Sequence, residues 1–260
     1  MLDAIQKPHG MVLVTGPTGS GKSQSLYACL NLLNRAEVNI ASVEDPSEIQ
    51  LPGINQVNVK EKIGLNFATS LRAFLRQDPD ILMVGEIRDH ETADIVMKAS
   101  QTGHLVLSTL HTQDAPSAVV RLRNMGVATY NLASSISLIS AQRLVRRLCV
   151  HCRTPVSVSS QSLKELGLQS FTDQAAPQHH FYSAKGCSQC HNGYWGRIGL
   201  FQVMPMTAAL QHLILHNASG HELTTQAEKE GINTLRHAGL LQASMGITSL
   251  SEVLAHTDVT

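Results

Sequence analysis

The stretch VLVTGPTGSGKSQSLYACL, Val12 to Leu30, limits what this chain can fold into more than any other: an apolar run passes through glycines into Gly21-Lys22-Ser23 and then into a helical pattern. Gly16, Pro17, Thr18, Gly19, Ser20, Gly21, Lys22 and Ser23 meet G-x-x-x-x-G-K-[ST] in full. Glycines let the backbone curl so that successive amides point at phosphate oxygens. Lys22 neutralises charge at the β and γ phosphates, Ser23 offers a hydroxyl to Mg²⁺, and Gln24 adds its backbone amide. With a strand pattern before it and a helix pattern after it, the segment predicts a nucleotide site rather than an ordinary strand-to-helix turn.

Four apolar runs repeat one design: MVLVTG at 11–16, VNIASVED at 38–45, DILMVGE at 80–86 and HLVLSTLHT at 104–112. Each ends in polar residues and leads into a turn or a helix-like pattern, which predicts βα units on a mainly parallel sheet. Ligands of such sheets lie beyond the carboxyl ends of the strands. The loop from Gly16 to Ser23, Glu44 with Asp45, Glu86 and His111 are therefore expected to line one crevice. Between strands, Asn66 to Gln77 has apolar residues on one helical face and ends at Asp78-Pro79; a second helix is expected from His90 to Ser100, capped by Asp89.

Hydrolysis needs more than binding: a carboxylate must orient the attacking water. Glu86 is the candidate for that task and Glu44 for completing the Mg²⁺ and water shell, with a solvated turn residue as the plain alternative for either. His104 and His111 bracket one strand and are candidates for sensing the γ-phosphate, although a histidine beside a strand serves structure as readily. Arg76 and Arg88 are read as ion-pair partners of Asp78, Asp80 or Asp89.

Cys149-Val-His-Cys152 and Cys187-Ser-Gln-Cys190 are two C-x-x-C knuckles separated by 34 residues. Four thiolates from two knuckles make a closed tetrahedral shell with no position left for water, the pattern of structural zinc. His151 and His191 adjoin the knuckles; reduced thiols in a small core and a redox C-x-x-C are the other readings. Cys29 reads as a small buried residue. Arg143, Arg146, Arg147 and Arg153 form the one basic cluster, expected on a solvated helix face or against a neighbouring subunit.

Residues 157–180 are polar and read as a loop with a short helical stretch at 163–168. From Thr207 the pattern is helical, with Gly231, Gly239 and Gly246 as punctuation and Ser249 with Glu252 as a capping box.

Lys+Arg and Asp+Glu both total 20, so no global field advertises nucleic acid or an anionic membrane. Aromatics are 4% of the chain and none alternates with the arginines, so nucleic acid is not an expected partner. No uncharged apolar stretch reaches the roughly 18 to 20 residues a membrane span needs, and the start lacks a signal-peptide pattern. A cytoplasmic chain is expected.

With these segments in place, the chain resembles the ATPases that power type II secretion and type IV pilus assembly, within the secretion ATPase superfamily. The matching stretches are TGPTGSGKS, SVEDPSE (its Asp box), LRQDPDILMVGEIRD (its atypical Walker B region), TGHLVLSTLHTQDAPSAVVRL (its His box), AQRLVRRLC and GYWGRIGLF. The resemblance implies a RecA-like core in a hexameric ring, with ATP between subunits. Hydrolysis there drives an inner-membrane platform protein, so the motor is peripheral at that membrane. It carries catalytic roles onto Glu86 and Glu44 and phosphate sensing onto His111. The tetracysteine element favours assembly over the retraction branch, which lacks it, and over DNA uptake or transfer on the same fold.

The implied domains are a RecA-like core at 1–145, a zinc-binding element with its connecting loop at 146–200 and a C-terminal helical subdomain at 201–260. Only 15 residues precede Gly16, where family members carry further domains and arginines that reach the nucleotide. The chain thus resembles the C-terminal half of such a protein. Binding of ATP is expected, with weak or absent hydrolysis, or a ring scaffold that does not hydrolyse, as the alternative for the chain alone. Gln24 and Gln202 depart from the family's usual residues.

Overall fold

The computed structural model describes residues 1–159, 161–162 and 181–257; the helical stretch expected at 163–168 lies outside them. The elements run α1 (Leu2–Ile5), β1 (Gly10–Thr15), α2 (Lys22–Leu33), β2 (Ile40–Glu44), β3 (Asn55–Asn58), α3 (Phe67–Phe74), β4 (Ile81–Val84), α4 (His90–Gln101), β5 (Leu105–Leu110), α5 (Ala115–Asn124), α6 (Thr129–Ser135) and β6 (Ile136–Leu148). After these come β7 (Thr154–Val156), β8 (Phe181–Ser183), β9 (Tyr194–Pro205), α7 (Ala208–Leu215), α8 (Gly220–Lys229), α9 (Leu235–Ser244) and α10 (Leu250–His256). Contacts group them into two units, Met1–Ala141 with Val203–Ile232 and Gln142–Gln202 with Asn233–Thr260.

In the first unit a seven-stranded sheet has the order β3-β2-β4-β5-β1-β6-β9, with β6 and β9 each running on into the second unit. Pairing from β3 through β6 is parallel. The registers Gly10↔Leu105 and Thr15↔Leu110 put the amino ends at one edge and the carboxyl ends at the other. Every residue of β1, β2, β4 and β5 is buried, as a parallel sheet with helices on both faces requires. On one face Val12, Val14 and Leu107 pack with Leu26 and Leu30 of α2. Each fully buried side chain of this kind contributes about 1.5 to 3 kcal/mol.

Local signals decide the helix ends. The Asn66 side chain accepts from the Thr69 amide at 2.8 Å and starts α3. The chain tightens into a 3₁₀ turn at Leu75–Gln77 and leaves it through Asp78 at φ 49°. Asp89 caps α4 by accepting from Thr92 N at 2.8 Å. A complete capping box at Ser219 and Glu222 starts α8. At Ser249 only half of the expected box forms: the Glu252 amide donates to Ser249 Oγ at 3.2 Å, but the Glu252 carboxylate accepts from Arg146.

Two expectations are corrected in the second unit. Arg143, Arg146 and Arg147 lie on strand β6, not on a solvated helix face. Their spacing of three and four imitates a helical stripe, yet Arg143 is buried. The Arg146 guanidinium is paired with Glu252 and stands 4.1 Å over the Tyr194 ring. Arg153 likewise covers the Tyr182 ring at 4.6 Å. Gly239, expected as punctuation, sits inside α9, where a Cβ would come within 2.7 Å of Val253 Cγ1 and 3.0 Å of Leu200 Cδ1.

Candidate functional site

The phosphate loop joins β1 to α2 at the carboxyl edge of the sheet. Gly21, the N-cap of α2, has φ 86°, a left-handed conformation that glycine takes without strain. Lys22, Ser23 and Gln24 are the first three residues of α2, so their amides lack carbonyl partners within the helix. Lys22 Nζ donates to the carbonyls of Gly16 at 2.9 Å and Pro17 at 3.0 Å. Ser23 Oγ reaches Glu48 Oε1 at 3.4 Å. Ser20 Oγ is buried without a hydrogen-bond partner. An orphaned hydroxyl beside the first amides of a helix is the donor set that suits phosphate oxygens.

The neighbouring strand ends are tied to this loop and to one another. Thr15 and Thr112 share a hydroxyl hydrogen bond of 2.6 Å, and the Thr112 amide donates to Thr15 Oγ1 at 3.0 Å, joining the ends of β1 and β5. His111 Nε2 stands 3.3 Å from Glu86 Oε2, joining β5 to β4. Arg88 pairs with Glu86 and, at 3.0 Å, with Asp45, joining β4 to β2. The expected partners of Arg88 were Asp78, Asp80 or Asp89. Helix α4 has instead been capped by Asp89, which frees Arg88 to turn to the strand ends. Burial acts to raise the Glu86 carboxyl, but the hydrogen bond and charge of Arg88, with His111, outweigh it and hold the group below its usual value. The bond to Glu86 correspondingly raises Arg88.

Glu44 occupies a different environment from Glu86. Its side chain is buried, with the residue 3% exposed. Oε1 accepts from Ser42 Oγ at 2.7 Å and Gln56 Nε2 at 3.1 Å, and Oε2 accepts a short hydrogen bond from Tyr27. Burial, reinforced by that bond, pushes the Tyr27 hydroxyl up to about 12, so it remains a donor at neutral pH. No local pattern in the sequence marks Tyr27 or Gln56, because each meets Glu44 only through the sheet.

His104 does not join this edge, and the expectation that it flanks the phosphates with His111 is corrected. It precedes β5 at the amino edge, where its Nδ1 meets the Ala99 carbonyl at 3.0 Å. Seven steps of extended strand place it about 23 Å along the chain from His111.

In the second unit the four knuckle cysteines form the metal-competent cluster found among the described residues, their Sγ atoms all within 4.8 Å of one another. Cys149 and Cys187 lie 3.9 Å apart, and Cys190 lies 3.6 Å from both Cys152 and Cys187. A tetrahedron with Zn–S bonds of about 2.3 Å has S···S edges of about 3.8 Å. The sulfurs are unbridged, and the Cys187 amide donates to Cys190 Sγ at 3.3 Å. The donor set and its spacing thus fit one tetrahedral thiolate metal site. Among the described residues no helix is long and apolar enough to cross a membrane.

Residues 1–255 match the protein family described as type II/IV secretion system protein. The type IV pilus assembly ATPase PilB of Acinetobacter baylyi is 52% identical over 252 residues, covering 97% of this chain and 43% of that protein. The type II secretion system ATPase E of Vibrio cholerae is 46% identical, covering 97% and 49%. The chain thus spans less than half the length of these relatives. The solved structure of the pilus retraction motor PilT with bound ADP superposes with a TM-score of 0.75 at 25% identity, covering 99% of this chain and 64% of that one. The mainly parallel α/β architecture and its phosphate loop are accordingly those of secretion ATPases. On matches that run nearly from end to end, the chain belongs to the type II/IV secretion system protein family.

Proposed function

We propose that this chain is the ATP-binding and ATP-hydrolysing part of a motor subunit that powers type IV pilus assembly or assembly of the type II secretion pseudopilus. The observation that carries this reading is the set of contacts from Asp45 through Arg88 and Glu86 to His111, and from Thr112, the next residue in the chain, to Thr15. It links the strand ends from β2 to β1 to the base of the phosphate loop. In this reading the amides from Gly16 to Gln24 cradle the phosphates and Lys22 leaves its carbonyls to meet the β and γ phosphates. Glu86 orients the attacking water, and His111, on the Glu86 carboxylate, senses the γ-phosphate. Ser23 would hold Mg²⁺, which neutralises developing phosphate charge. The four cysteines would hold structural Zn²⁺. In this reading, as the resemblance of its motifs implies, the subunit works in a homo-oligomeric ring with an inner-membrane platform protein at the cytoplasmic face.

The ion pair that holds Glu86 below its usual value makes it a weaker base while Arg88 stays in place, which favours a second reading, a subunit that binds ATP without turning it over. Mg²⁺-ATP hydrolysis and nucleotide binding by the unmodified chain, Glu86→Gln and Lys22→Ala separate the two. The hydrolytic reading expects Glu86→Gln to bind normally and to lose turnover by about 10²-fold or more, and Lys22→Ala to lose binding. Binding without turnover in the unmodified chain supports the second reading, and unchanged affinity in Lys22→Ala overturns the phosphate-loop assignment.

A further inference from the structure

We propose that Tyr27 is a positioning residue for hydrolysis, coupling the helix behind the phosphate loop to the Glu44 carboxylate. The inference rests on the hydrolytic reading above, joined to the expectation from the sequence that Glu44 completes the Mg²⁺ and water shell. Tyr27 lies five residues after Lys22 on α2, so its backbone belongs to the helix whose first turn would face the phosphates. Its ring is fixed in the apolar cluster with Leu26 and Leu30. The hydroxyl makes two contacts of opposite sense: it donates to Glu44 Oε2 and accepts from the Glu48 amide at 3.0 Å.

One hydroxyl therefore connects α2, the carboxyl end of β2 and the loop that follows β2. That loop also touches the phosphate-loop helix directly, where Ser23 meets Glu48, and begins with Asp45, the partner of Arg88. Glu44 Oε1 is held by Ser42 and Gln56 from β2 and β3, whereas the donor on Oε2 comes from α2. A carboxylate pinned to the sheet at one oxygen and to the nucleotide-binding helix at the other registers any displacement of α2 against the sheet. Raised to about 12, first by burial, the Tyr27 hydroxyl donates throughout the working range and takes no proton from the reaction.

The test compares the unmodified full-length protein with Tyr27→Phe, Glu44→Gln and the double variant. Single-turnover ATP hydrolysis, nucleotide affinity and thermal melting are read on each. Tyr27→Phe keeps the buried ring and removes only the hydroxyl. The expected result is hydrolysis slowed about tenfold, the order of one hydrogen bond to a charged group, with affinity changed less than about twofold. Glu44→Gln is expected to be slower still, about 10²-fold, and Tyr27→Phe to add less than about twofold in that background. A purely structural tyrosine predicts the same slowing in both backgrounds, and that result overturns the proposal. Unchanged hydrolysis in Tyr27→Phe alongside a damaged Glu44→Gln overturns it too, leaving the hydrolytic reading intact. Normal turnover in Glu44→Gln, or none in the unmodified protein, removes the hydrolytic role of Glu44 and the Tyr27 proposal with it.

Discussion

Glu252 shows what keeps a buried carboxylate charged. The Arg146 amide reaches it at 2.9 Å, Nε at 3.0 Å and Nη2 at 2.5 Å, while its side chain is 4% exposed. Burial acts to raise the carboxyl, and the Arg146 bonds and charge outweigh it, so the folded value lies below 4.5. A lowered folded value contributes stability that is present above the unfolded value, near 4.5, and is lost as pH falls through the folded one. Glu252→Gln should cost about 2 kcal/mol at pH 7, the order of hydrogen bonds to a charged group, discounted because Arg146 is half exposed. In thermal melts the gap between the two proteins should close as pH falls below 4.5, and a gap constant down to pH 3 would reject this account. At this scale the placing of Lys22 in the loop, Glu86 at a strand end and the cysteines in one cluster was legible because each stands in a short local pattern. Tyr27, Gln56 and the Arg88–Asp45 pair were not. Their partners lie between 12 and 43 positions away, and only tertiary pairing brings them together.

Elements held to the same rule. The four apolar runs of the first unit became β1, β2, β4 and β5 because full burial makes such strands continuous hydrophobic stretches. The segments continuing into the second unit carried no such mark. In β6 the arginine spacing imitates a helix, and in β9 Gly196 and Gly199 interrupt any alternation. Gly239 was misread because a helix interior rarely needs a glycine; here α9 needs one for α10 and β9 to approach. Replacing it with Ala should destabilise the second unit by about 1 to 3 kcal/mol through overpacking, although alanine is the better helix former. Denaturant unfolding followed in that unit checks this, and a stabilised variant would contradict the close approach.

For the whole molecule, the 34 residues between Cys152 and Cys187 make the four-cysteine cluster a long-range closure. A crosslink across a loop of this size removes unfolded-state entropy worth about 3 to 4 kcal/mol in the chain-entropy description. One zinc per chain is expected by elemental analysis, none in Cys187→Ser, and a lowered melting temperature of the second unit after chelation. Nucleotide affinity should survive, since the phosphate loop belongs to the first unit. Unaltered metal content in Cys187→Ser would reject the four-thiolate assignment. Each unit is assembled from two separated stretches, an arrangement that chain order does not announce. The polypeptide passes between units after Ala141, after Gln202 and after Ile232, the first two passages lying inside β6 and β9. Mechanically the units are sewn together by three threads rather than strung on one. Three covalent connections join them, and no single cut in the backbone sets either unit free.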